Sequence, residues 1–87
     1  MTVTFSVDPD NGEVLAVYFR LAQGKVHKTV ELAPGECYVD EDANGSPLGA
    51  EMLCPGELKT QISRVARKYH VRGMTRAYNH MREALAL

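Results

Sequence analysis

The chain has 87 residues, 45% of them apolar and 24% charged, which excludes an intrinsically disordered segment and leaves room for a single domain spanning 1–87. No apolar run approaches the roughly 20 residues of a membrane-spanning helix, and residues 1–10 lack the basic start and long apolar run of a signal peptide, so a cytoplasmic protein with no membrane association is expected. The net charge of −1 conceals a division: residues 1–54 hold three Lys/Arg against nine Asp/Glu, a net −6, whereas residues 55–87 hold seven against two, a net +5.

A chain this short buries only about 60–65% of the surface its unfolded form exposes, so its core is modest and a dimer interface would supplement it. The elements read as follows. Thr2 to Val7 alternates, with Val3, Phe5 and Val7 on one face and Thr2, Thr4 and Ser6 on the other, the pattern of a half-buried strand. Asp8-Pro9-Asp10-Asn11-Gly12 is a turn in which Asp8 accepts from backbone amides ahead of it. Glu13 to Leu21 is the most apolar stretch, and its β-branched and aromatic content favours a strand. Leu15, Val17, Phe19 and Leu21 form one face; Val14, Ala16, Tyr18 and Arg20 form the other. That second face is only partly polar, so this strand is expected to be central and covered on both sides. Val26 to Leu32 resumes alternation, and Ala33-Pro34-Gly35 breaks it with a type II turn pattern.

Residues 36–53 read as a β-hairpin around Asp42-Ala43-Asn44-Gly45, with Cys37 and Val39 on the outgoing strand and Leu48, Ala50 and Met52 on the returning one. Pro47 lacks an N–H and suits an edge strand or the first residue after the hairpin's bulge. The first half of the chain is thus an antiparallel meander of four or five strands. Its apolar face is expected to carry Val3, Phe5, Leu15, Val17, Phe19, Val30, Val39, Ala50 and Met52.

Pro55-Gly56 marks a change of period from two to 3.6. Leu58, Ile62, Val65, Ala66 and Tyr69 form an amphipathic stripe, with Gly73 as the capping residue after it. A second helix follows, with Thr75 as N-cap and Met74, Ala77, Tyr78, Met81, Ala84 and Leu85 as its apolar face. Ala86-Leu87 either frays or contributes to a dimer. A one-sided sheet needs a cover, so the fold class is α+β, with two C-terminal helices packing on one sheet face or across a dimer.

No residue group forms a catalytic signature, and no catalytic, metal or cofactor residue is assigned. Asp40, Glu41 and Asp42 beside Asn44 offer oxygen donors, but their order does not continue into a calcium-loop pattern, and they read as a solvated, side-chain-capped turn. His27, His70 and His80 share no ligand spacing with Cys37 or Cys54 and read as surface or partly packed side chains. Cys37 and Cys54 form no CxxC; cross-strand pairing is left open, and two buried thiols are preferred. The basic third carries more information. Lys59, Arg64, Arg67, Lys68 and Arg72 decorate the first helix, and Arg76, His80 and Arg82 the second; Arg64, Arg67, Lys68, Arg72, Arg76 and His80 are singled out among them. These six are the candidate contacts for a nucleic acid or another anionic partner. As a helix-turn-helix, the pair would present Thr75, Arg76, Asn79 and His80 to DNA. Such a motif, however, wants glycine where His70 stands and an apolar residue where Arg76 stands. A cationic solvated face is therefore preferred, and the helices lack the Trp and Phe anchors of a membrane-surface element.

Asp8-Pro9, Val17-Tyr18-Phe19, the run Asp40 to Gly45 and the run Gly49-Ala50-Glu51-Met52-Leu53 together resemble the DUF2283 family of small uncharacterised prokaryotic domains over residues 1–54. The chain departs from that pattern at Leu15 or Ala16, where the family has Asp, and at Glu41, where it has an apolar residue. The resemblance implies a small β-rich fold and no assigned activity; it does not extend to the basic helices. The expectation from the sequence is a non-enzymatic, self-associating domain, a homodimer acting by protein binding. A nucleic-acid-binding or antitoxin-like regulator is the first alternative. A small enzyme with an intersubunit site is the second.

Overall fold

The computed structural model describes residues 1–53 and 57–84. Five strands, β1 (Thr2–Val7), β2 (Val14–Arg20), β3 (Lys28–Ala33), β4 (Cys37–Glu41) and β5 (Pro47–Leu53), precede two helices, α1 (Leu58–Tyr69) and α2 (Met74–Ala84). All four strand pairings are antiparallel. The spatial order is β1-β2-β5-β4-β3. The chain therefore meanders in two runs, β1-β2 and β3-β4-β5, and the segment 21–27 carries it across so that β5 docks on β2. Bonds from Leu21 N–H (2.9 Å) and Ala22 N–H (3.2 Å) to the Leu48 carbonyl hold this crossing at one end, and His27 N–H to the Glu41 carbonyl (2.7 Å) holds it at the other. α1 packs over β5 and α2 over β1, covering one face of the sheet.

The turns form by the expected chemistry. Asp8 Oδ1 accepts from Asp10 N–H at 2.8 Å, Glu36 N–H closes the Ala33-Pro34-Gly35 turn on the Ala33 carbonyl at 3.0 Å, and Asp42 Oδ1 accepts from both Asn44 and Ser46 N–H at 2.9 Å. The core lies between sheet and helices. Val17, Phe19, Cys37, Val39, Ala50 and Met52 meet Ile62, Val65 and Met74, with Phe5, Leu58, Tyr69, Tyr78 and Met81 around them. Phe5 and Tyr78 pack ring to ring at 5.9 Å.

Four expectations are corrected. Leu15 does not face the core and is 46% exposed. Ser6 pairs with Ala16 but Val7 with Val14, so Leu15 is the extra residue of a β-bulge that reverses the alternation at this end of β2 and turns Val14 inward. β2 is an interior strand, paired with β1 and β5, but the middle strand is β5, and among the described residues no helix packs on the Tyr18 side of the sheet. Pro47 is the first residue of that central strand, where a missing N–H costs least, and the bulged Leu48 follows it. The caps also differ. α1 ends on His70, in the left-handed region at φ 57°, with Val71 N–H reaching back to the Ala66 carbonyl at 3.1 Å. Gly73 instead precedes α2, whose first i→i+4 bond runs from Ala77 N–H to the Gly73 carbonyl at 2.9 Å, so Thr75 lies inside the helix and not at its cap. The readings of Cys54, Pro55-Gly56, Leu85 and the Ala86-Leu87 tail fall outside the described residues. Among those residues, no helix is long and apolar enough to cross a membrane.

Candidate functional site

The six basic candidates are all exposed, but they do not converge. Arg64 and Arg67 line a shallow groove of about 420 Å³ on the outer side of α1 with Lys59, Thr60 and Ser63. Arg76 and His80 line another of about 460 Å³ on α2 with Thr75, Asn79 and Glu83. Lys68 lies over the Tyr69 ring at 5.7 Å, and Arg72 stands in the connection. Arg64 also serves the interior, since its Nη1 donates to Gln61 Oε1 at 2.8 Å, and Gln61 Nε2 donates to Glu36 Oε2 at 3.0 Å. These two bonds satisfy a glutamine that is only 2% exposed. None of the six forms an ion pair with an acidic group among the described residues. The four residues a helix-turn-helix would present, Thr75, Arg76, Asn79 and His80, do share one groove, but Glu83 sits in it as well.

The acidic triplet Asp40-Glu41-Asp42 is split between three roles. Only Asp42 caps the turn. Glu41 faces the helices and is buried; it accepts a 2.6 Å hydrogen bond from the Tyr69 hydroxyl, with Lys28 Nζ at 3.9 Å. Burial first, and this bond second, push the Tyr69 hydroxyl well above its ordinary value. Cys37 is a buried free thiol, raised by desolvation. No group of three or more metal-ligating side chains occurs among the described residues.

Asp40 points to the open side of the sheet, where it anchors a cluster that alternation alone did not reveal. Tyr18 Oη donates to Asp40 Oδ2 at 3.1 Å, and Thr29 Oγ1 donates to Asp40 Oδ1 at 2.7 Å. The Tyr18 ring reaches Asp40 by crossing Gly49 on the intervening strand. A Cβ at position 49 would lie 1.8 Å from Tyr18 Oη, so only glycine leaves the ring this path. Desolvation, then the Asp40 bond, raise the Tyr18 hydroxyl. Register places Glu51 directly between Tyr18 and Tyr38, and these five residues line a trough of about 320 Å³. The sequence signal was the cross-strand offset of Tyr18, Tyr38 and Glu51, readable only once β5 is known to lie between β2 and β4.

No protein-family model matches the chain, and no curated protein and no solved structure matches it either. The trough sets two carboxylates beside two tyrosines, and the Thr29 and Tyr18 hydroxyls are both engaged by Asp40.

Proposed function

We propose that this is a small, non-enzymatic cytoplasmic domain that acts by protein binding and self-associates as a dimer through strand β1. One observation carries the reading. β1, Thr-Val-Thr-Phe-Ser-Val, is an edge strand with no charge and no proline, and its outer backbone groups bond to nothing among the described residues. An unguarded edge of this kind is a template for antiparallel pairing with another strand. The other edge, β3, is guarded: it carries Lys28 and Glu31 and a bulge at Leu32 between the Glu31–Tyr38 and Ala33–Cys37 pairs. Exposed Val7 and Leu15 continue the uncharged surface at the end of β1. The resemblance of residues 1–54 to the DUF2283 family belongs to the same proposal and adds no chemistry to it.

Light scattering on a sizing column tests the reading. The protein is expected to elute at twice the chain mass, and Thr4→Lys, which adds a charge at an exposed edge position, at the chain mass with an unchanged circular dichroism spectrum. A monomeric parent, or a dimer indifferent to Thr4→Lys, would overturn it.

A second reading is favoured by the absence of ion pairs at Arg64, Arg67, Lys68, Arg72, Arg76 and His80 among the described residues: a regulator that binds nucleic acid through the helices. It requires duplex DNA binding that falls steeply with salt and is lost on reversing Arg67 and Arg76 to glutamate.

A further inference from the structure

We propose that the trough on the open face of the sheet takes the guanidinium of an arginine side chain presented by a protein partner. Charge complementarity is the first argument. On this face the strands carry Glu31, Asp40 and Glu51 against Arg20 alone. The Glu51 carboxylate forms no hydrogen bond or ion pair with any described residue, although the residue lies half-buried between two tyrosines.

Shape is the second argument. Tyr18 and Tyr38 stand on strands two places apart, so their backbones are separated by about 10 Å. The Tyr18 ring leans across Gly49 toward Asp40, so a planar cation enters over Glu51 beside the two tyrosine rings, whose aromatic surfaces attract it. A guanidinium fits better than an ammonium because it is flat, weakly hydrated and able to offer several N–H groups to a carboxylate. The Tyr18 ring already has one such neighbour within the chain, the Arg20 guanidinium at 5.9 Å from its centroid, and Arg20 does not line the trough.

Preorganisation is the third. Tyr18 is held over Gly49 by Asp40, and Asp40 is held by Thr29. The walls are therefore set before the ligand arrives, and binding orders little of the protein. The inference goes beyond pairing at β1, since the trough is built from β2, β3, β4 and β5.

The test is an NMR titration of the full chain at low salt with acetyl-Gly-Arg-Gly-amide, and with the same peptide carrying citrulline or lysine in place of arginine. The arginine peptide is expected to give saturable shifts at Tyr18, Tyr38, Thr29 and Glu51 in the millimolar range. Citrulline, which has the shape without the charge, is expected to give none, and lysine to bind more weakly. Glu51→Gln should weaken the arginine peptide about fivefold, and Tyr38→Leu should do the same through loss of a wall, each in a protein whose amide spectrum is otherwise native. No saturable shift, equal response to citrulline, lysine binding as tight as arginine, or shifts confined to the helices would each overturn the proposal. A chain that dimerises normally yet ignores the arginine peptide would overturn the trough and leave the edge reading standing.

Discussion

The two faces of the sheet are built on different principles. The covered face is apolar and closed. Phe19, Val39, Ala50 and Met52 are fully buried, and the two buried polar side chains among the described residues, Glu41 and Gln61, each have a partner. The open face is polar and held laterally: Tyr18 of β2 and Thr29 of β3 both donate to Asp40 of β4, while Glu51 and Tyr38 stand beside them. Burial of apolar area dominates stability, so the first face decides whether the chain folds. The second contributes a few side-chain hydrogen bonds, each worth about 1 kcal/mol.

Substitutions can break or sharpen this contrast. Phe19→Ala empties the middle of the covered face and should cost about 3–5 kcal/mol in chemical denaturation, enough to unfold a domain of this size. Tyr69→Phe removes the hydroxyl that serves the buried Glu41 carboxylate and should cost about 2 kcal/mol. The same variant has a pH signature. The folded-state value of Tyr69 lies above its ordinary value of 10.0, so its contribution is fully present below about pH 10 and is lost as pH rises toward the folded value. The parent should therefore lose stability with alkali more steeply than Tyr69→Phe, and parallel curves would refute the role given to this bond.

On the open face the effects should be smaller. Gly49→Ala forces the Tyr18 ring off β5 and breaks its bond to Asp40, at a cost of about 1–2 kcal/mol. The tyrosine fluorescence of that variant should change, whereas a silent substitution would mean that the ring has another resting place. Smallest, and opposite in sign, His70→Gly should raise stability by about 1 kcal/mol, because the residue already occupies the left-handed region that glycine enters without strain.

The covered face was legible in the sequence because burial imposes a period. Val17, Phe19, Val39, Ala50 and Met52 follow the two-residue repeat, and Ile62 and Val65 follow the helical one. Leu15 was misplaced because a bulge breaks the repeat without leaving a residue type to mark it. His70 was missed as a cap because glycine is the usual signal and Gly73 stood nearby. The open-face cluster was not legible at all. Tyr18, Thr29, Asp40 and Glu51 come from four separate strands, and their meeting depends on β5 lying between β2 and β4, a consequence of the 21–27 crossing that no local pattern encodes.

The two edges of the sheet extend the contrast, and amide hydrogen exchange along them tests the central claim, that this domain associates through β1. The β1 amides not bonded to β2 should become protected as protein concentration rises, while the outward amides of β3, guarded by Lys28 and Glu31, stay in fast exchange. Fast exchange of those β1 amides at every concentration would contradict the account.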